Sequence, residues 1–187
     1  MKTKKLIFAA LFAALTCVAT MIIKVPTPTM GYIHPGDSIV LLSGFLLGPV
    51  YGGLAAGIGS MFSDLFGGYF SYAPATFVIK TLTAVFASLI FHAFTKKLSD
   101  VSAGKQAAFT AISGTIGEAF MVFGYFVFEI FLMAIATGDG FSSTSLAAGV
   151  ASSASGIPFN IVQGLFGVIL STILYPLLKK PLAQFTD

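Results

Sequence analysis

Residues 38–66 read SIVLLSGFLLGPVYGGLAAGIGSMFSDLF, with no charged residue before Asp64. A helix crosses the ~30 Å apolar core of a bilayer with about 20 residues. The stretch is therefore long for one span and too short for two of full length. Gly48-Pro49 and Gly52-Gly53 sit at its middle. Proline lacks the amide hydrogen a helix interior needs, and glycine weakens the helix entropically. Two short helices meeting near this point, 38–51 and 53–66, are the expectation.

Working outward, apolar runs of spanning length lie on both sides. They predict helices over about 6–23, 74–94, 106–136 and 158–178. Lys24 and the Pro26-Thr-Pro28 breaker end the first run, Lys96-Lys97 the fourth and Lys179-Lys180-Pro181 the last. Glycine- and aromatic-rich segments separate them at 24–36, 67–73 and 137–155, the last containing a short apolar piece at Leu146–Ala151. The N-terminal MKTKK before an apolar run imitates a signal peptide. The run is too long for one, and small residues recur in it at helical spacing, so a retained helix is expected.

Composition agrees with lipid as the solvent. Hydrophobic residues make up 56% of the 187 and charged residues only 9%, against about 25% in soluble domains. All ten basic residues are lysines. They sit at the ends of apolar runs rather than in a patch, which argues against nucleic acid as a partner. With six spans, Lys2, Lys4, Lys5, Lys96, Lys97, Lys105, Lys179 and Lys180 fall on one side, which the positive-inside bias makes the cytoplasm. Five spans would split these clusters. The expectation is a single all-α domain: a bundle of six transmembrane helices, both termini cytoplasmic, in a bacterial cell membrane. Three long loops then lie outside. One cysteine, Cys17, excludes an internal disulfide.

Ionisable and amide side chains at membrane depth each need a reason. Asp64 and Lys80 read either as an ion pair closing two helices or as ligand groups. Asn160 and Gln163 share a face at i, i+3 and read as interhelical glue or as ligand contacts. Glu118, Tyr125 and Glu129 share one face of the fifth helix, and no lysine is counted at the depth of Glu118. Asp37 and His34 close the first outer loop. Tyr32, Tyr69, Phe70 and Tyr72 are placed to stack on a flat ring. Candidate ligand-binding residues are thus Tyr32, His34, Asp37, Tyr72, Lys80, Glu118, Tyr125, Glu129, Asn160 and Gln163. They converge on the outer half of the bundle. Ala9, Ala10, Ala13 and Ala14 form two small-xxx-small pairs on the first helix, suited to close helix packing or to docking a partner.

Other chemistry lacks its residues. Two distant histidines supply no metal site. No Walker A, Gly-x-Ser-x-Gly or His-Glu-x-x-His sequence is present, so neither ATP binding nor enzymatic activity is expected of this chain.

The segments Gly31-Tyr-Ile-His-Pro-Gly-Asp37, Leu46-Leu-Gly-Pro-Val-Tyr-Gly-Gly53, Ser63-Asp64 and Tyr72-Ala-Pro-Ala-Thr-Phe-Val-Ile-Lys80 resemble the substrate-binding S components of energy-coupling factor (ECF) vitamin transporters. The spacing of Ala9, Ala10, Ala13 and Ala14 resembles that family's Ala-x-x-x-Ala docking motif. The resemblance implies capture of a vitamin from outside and gating by loops 24–36 and 67–73. It further implies docking through the first helix onto a transmembrane coupling protein, driven by two cytoplasmic ATPase subunits that use the ATP. The wording of the motifs looks most like the subgroup linked to hydroxymethylpyrimidine or pyridoxine. The alternative is a stand-alone facilitator or proton-coupled carrier working through an intramembrane glutamate.

Overall fold

The computed structural model describes residues 2–27, 31–96, 102–138 and 140–186. Lys97 and Pro28, which entered the expectations above, lie outside them. The described chain runs α1 (Lys2–Ile22), β1 (Val25–Pro26), β2 (Tyr32–Ile33), α2 (Asp37–Gly67), α3 (Ala73–Thr95), α4 (Ala103–Ala136) and α5 (Ser143–Thr186). All five helices are long and apolar enough to cross a membrane. Among the described residues these are five continuous elements, one of which, α2, joins two helical arms across a kink at Gly48. α2 is the element built from the opening stretch, and its two arms are the short helices that stretch leads one to expect.

Inside α2, Gly48 has φ 82° and ψ 176°, a conformation essentially reserved for glycine. The chain doubles back there. In a continuous helix Ser43 and Gly52 would stand about 13.5 Å apart, yet Ser43 Oγ donates to the Gly52 carbonyl at 2.9 Å. A side chain at Gly52 would strike the Ser43 backbone. The arm 37–47 runs parallel to α3, with Asp37 at Lys80 and Gly44 against Ala84 and Ser88. The arm 49–67 runs antiparallel to it, with Gly53 at Thr81 and Val85 and Gly57 at Phe77. The first arm, about 16 Å long, reaches only part-way through a bilayer. The reversal sets Asp37 and Asp64, at the two ends of α2, near one end of the bundle.

α4 and α5 form a long antiparallel pair, with Ile130 at Gly149, Glu118 at Gly164 and Gly114 at Val168. Here the expected loop 137–155 is corrected: α5 starts at Ser143 and continues through Pro158. The composition of 137–155 disfavours helix locally, but Gly149 packs closely on the Ile130 backbone of α4, so tertiary contact overrides the local signal.

The apolar core sits toward the other end. Phe45, Phe91 and Tyr175 meet with ring centres 4.9–6.1 Å apart, joined by Phe12 from α1 and by Leu182 at the end of α5. Phe94 of α3 stacks on Phe109 of α4 at 5.1 Å. The first turns of α1 and α4 and the last turns of α3 and α5 therefore share one end of the bundle, and Lys4, Lys5, Lys96, Lys105, Lys179 and Lys180 go with them.

Candidate ligand-binding site

The opposite end is roofed by a small antiparallel hairpin, β1 paired with β2 through Val25 with Ile33 and Pro26 with Tyr32. Two proline-bounded extended pieces cannot extend α1, so the chain folds back over the bundle. The hairpin is tied down at two points. Tyr32 Oη donates to Asp64 Oδ1 at 2.7 Å and lies 3.2 Å from Ser63 Oγ. The backbone N–H of His34 donates to Gln163 Oε1 at 2.9 Å. Lys24 adds its ammonium over the faces of Tyr32, at 4.3 Å, and Tyr69, at 5.4 Å.

Beneath the hairpin lies a cavity of about 30 Å³, room for one or two waters. The hairpin contributes Thr27, Gly31, Tyr32 and His34 to its wall, α1 Thr20 and α2 Ser60 and Asp64. Tyr69 and Tyr72 come from the 68–72 turn, Thr76 from α3, Tyr125 and Glu129 from α4, and Asn160 and Gln163 from α5. Tyr72 Oη donates to Glu129 Oε1 at 3.4 Å, and Tyr125 Oη to Thr76 Oγ1 at 3.0 Å. The spacing explains the convergence: Ser60 and Asp64, Thr76 and Lys80, and Asn160 and Gln163 each stand three or four residues apart on one helix face.

Below the cavity the polar groups continue as a buried floor. Lys80 Nζ meets Asp37 Oδ1 at 2.5 Å, both side chains being fully buried. Gln163 Nε2 donates to Asp37 Oδ2 at 2.7 Å. Gln163 therefore bridges the floor to the roof. Glu118 is 4% exposed and neither of its oxygens has a hydrogen-bond partner among the described residues; its charged neighbours are Asp37 and Lys80.

In the roof, burial pushes the His34 imidazole down to about 3, with Lys80 and Lys24 adding to the shift and Asp37 opposing it. His34 is thus neutral at ordinary pH, and its Nδ1 accepts from the Gly36 N–H at 3.1 Å. Burial and then the Asp64 carboxylate raise the Tyr32 phenol well above its usual range, so it stays a donor.

Over residues 1–180 the chain matches the family described as "ECF-type riboflavin transporter, S component". The chain belongs to this family of ECF transporter S components. Such a component is a multi-pass membrane protein that binds a transported substrate and works with an ECF module; it is not an enzyme. A relative from Pyrococcus woesei, described as "Uncharacterized protein in gap 3'region", is 31% identical over 163 residues, covering 87% of this chain and 98% of that protein. A solved structure, "Structure and mechanism of the S component of a bacterial ECF transporter", shares the fold with a TM-score of 0.60 at 22% identity, over 100% of this chain and 99% of that one.

The S component places its sequence-derived candidates in two layers. Tyr32, His34, Tyr72, Tyr125, Glu129, Asn160 and Gln163 line the cavity, while Asp37, Lys80 and Glu118 lie outside its wall, the first two joined through Gln163 to the roof. Of the two readings of Asp64 and Lys80, the ion pair between them is corrected: Lys80 pairs with Asp37. Asp37 stands at the start of the first arm, and the hairpin in α2 turns that arm alongside α3. Counting along helices had also left Glu118 without a lysine nearby; the same geometry brings Lys80 into its surroundings. Thr20, Ser60 and Thr76 were missed, and the signal that could have found Ser60 and Thr76 is their i, i+4 spacing to Asp64 and Lys80. The alanine pairs divide. Ala9 is buried and the Ala13 carbonyl packs on Gly59, whereas Ala10 and Ala14 face outward. All four line an apolar groove of about 640 Å³ between α1 and the second arm of α2, walled also by Leu54, Ile58 and Phe62.

Proposed function

We propose that this chain captures a small flat vitamin or vitamin precursor, pyridoxine or hydroxymethylpyrimidine, for an ATP-driven ECF importer. The observation that carries the reading is the cavity under the β1–β2 hairpin, where four tyrosines, two carboxylates and two amides converge. Tyrosine rings stack on a heterocycle; amides and carboxylates take its hydroxymethyl groups and ring nitrogen. At about 30 Å³ the cavity as it stands has room only for water, so binding calls for the hairpin to shift from Gln163 and Asp64. A small ligand demands the lesser opening.

The lysine-rich end of the bundle lies opposite the cavity. The positive-inside bias places that end, with both termini, in the cytoplasm of a bacterial cell and the cavity outside. The apolar groove at Ala10 and Ala14 suits docking of a transmembrane coupling protein, because small residues let a partner helix approach closely. Two cytoplasmic ATPase subunits complete the module in this reading and supply the ATP step. A second reading, riboflavin as the ligand, is favoured by the description of the matching family.

Native mass spectrometry of the purified chain, followed by thermal-shift titration with pyridoxine, hydroxymethylpyrimidine and riboflavin, tests both. Stabilisation by one of the two small heterocycles supports the first reading, and stabilisation by riboflavin alone supports the second. No response to any of them would sink the assignment of the cavity as a vitamin site.

A further inference from the structure

Among the described residues the interior of the bundle holds more acidic than basic side chains. Asp37, Asp64, Glu118 and Glu129 are each no more than 6% exposed, and Lys80 is the single buried cation among the described residues. Lys80 spends its charge on Asp37. His34, on the cavity wall, is neutral, and Lys24 lies outside the interior, over the faces of Tyr32 and Tyr69. Two of the four carboxylates, Asp64 and Glu129, lie on the cavity wall itself. Asp64 accepts from Tyr32 through Oδ1; its Oδ2 is buried without a hydrogen-bond partner among the described residues, with the Thr76 side chain beside it. Both oxygens of Glu118 are in the same condition one layer down. Anions buried away from water are costly unless a proton or a cation compensates them.

The aromatic wall points the same way. A tyrosine face carries the negative part of the ring quadrupole and attracts cations. Three tyrosines of the wall already hold an ammonium in this manner: Lys24 lies over Tyr32 and Tyr69, and Lys80 lies 5.3 Å from the centre of the Tyr125 ring. Rings and carboxylates together resemble a cage for an organic cation.

We infer that the cavity selects its ligand by charge. It takes a flat heterocycle bearing positive charge on a ring nitrogen or an amine substituent, and it rejects heterocycles whose polar substituent is a carboxylate. The inference rests on the reading of the cavity as a vitamin site and narrows it. The cationic group faces Asp64 Oδ2, and the ring plane lies against tyrosine. An anionic substituent in the same place would meet Asp64 and Glu129, while Lys24 is already held over the faces of Tyr32 and Tyr69.

Three compounds with one ring and one varied position make the test: pyridoxamine with an ammonium, pyridoxine with a hydroxyl and 4-pyridoxic acid with a carboxylate. Their affinities for the full chain are measured by calorimetry in detergent at neutral pH. Pyridoxamine should bind at least tenfold more tightly than 4-pyridoxic acid, with pyridoxine between them, and Asp64→Asn should collapse that spread. Glu129→Gln serves as the second variant, with the same expectation. Equal affinities across the series, or a spread that both variants preserve, would overturn the charge rule and leave the vitamin site standing. Binding of riboflavin with none of the three would do the same. If no heterocycle binds at all, the rule falls together with the reading beneath it.

Discussion

The backbone N–H of His34 donates to the side chain of Gln163 across 2.9 Å, and Gln163 passes the connection on to Asp37 through its amide nitrogen at 2.7 Å. One residue of α5 thereby joins the roof of the cavity to the ion pair beneath it. Opening the hairpin breaks a contact whose other half is anchored in the fully buried floor.

Replacing Gln163 with leucine should therefore loosen the roof and unbalance the floor together. The Asp37 carboxylate loses one of its donors, which costs about 1–3 kcal/mol when the group stays buried. Hydrogen exchange at the His34 amide should accelerate relative to wild type, while amides of the Phe45–Phe91–Tyr175 core stay protected. Unchanged exchange at His34 would mean that the hairpin is held elsewhere.

Lys80→Met leaves the Asp37 charge buried alone, and removal of one partner of such a pair typically costs about 3–5 kcal/mol. Adding Asp37→Asn should restore most of the loss, because the double variant no longer buries an unpaired charge. Urea or thermal unfolding in detergent reads the cycle. Strict additivity of the two single effects would show that the two side chains do not couple.

Gly48→Ala forces a side chain into a backbone region at φ 82°, ψ 176° that costs on the order of 1–3 kcal/mol. Thermal stability should fall by that order. Ligand affinity should fall with it, since the reversal at Gly48 is what brings the Asp37 and Asp64 ends of α2 to the same end of the bundle. Gly104, with open space around it, is the control position and should tolerate alanine.

His34 carries a pH dependence whose sign can be worked out. Its folded value, about 3, lies below the ordinary histidine value of about 6.5. The unfolded chain therefore binds the proton more readily in that interval. Stability from the neutral imidazole is complete above about 6.5 and is lost as the pH falls from there toward 3. Melting temperature measured between pH 7.5 and 5 should drop, and His34→Gln should flatten the drop. An identical slope in the variant would assign the titration to another group.

Ala14→Leu projects into the groove on the outer face of α1, away from the cavity. Ligand affinity of the isolated chain should stay within twofold of wild type, while uptake in a reconstituted module should fall about tenfold or more, as expected when a docked helix is held off. Full uptake by the variant would remove the groove from consideration as the docking surface.

Apolar length and lysine placement were enough to identify a membrane bundle with Lys4, Lys5, Lys96, Lys105, Lys179 and Lys180 at one end, because the cost of exposing backbone and charge to lipid leaves few alternatives. Glycine and proline at 48–53 located the interruption in α2, and helical spacing put Tyr125 with Glu129 and Asn160 with Gln163 on common faces. Pairings across helices were another matter. Which carboxylate Lys80 meets depends on the direction of the arm 37–47, and only the fold-back at Gly48, recorded by the Ser43–Gly52 contact, sets that direction. The start of α5 at Ser143 likewise goes with Gly149 packing against α4 rather than with the local composition of 137–155. Periodicity and hydropathy act within one segment and are written in the chain; the partner of a buried charge is decided by what the packed bundle brings within a few ångströms of it.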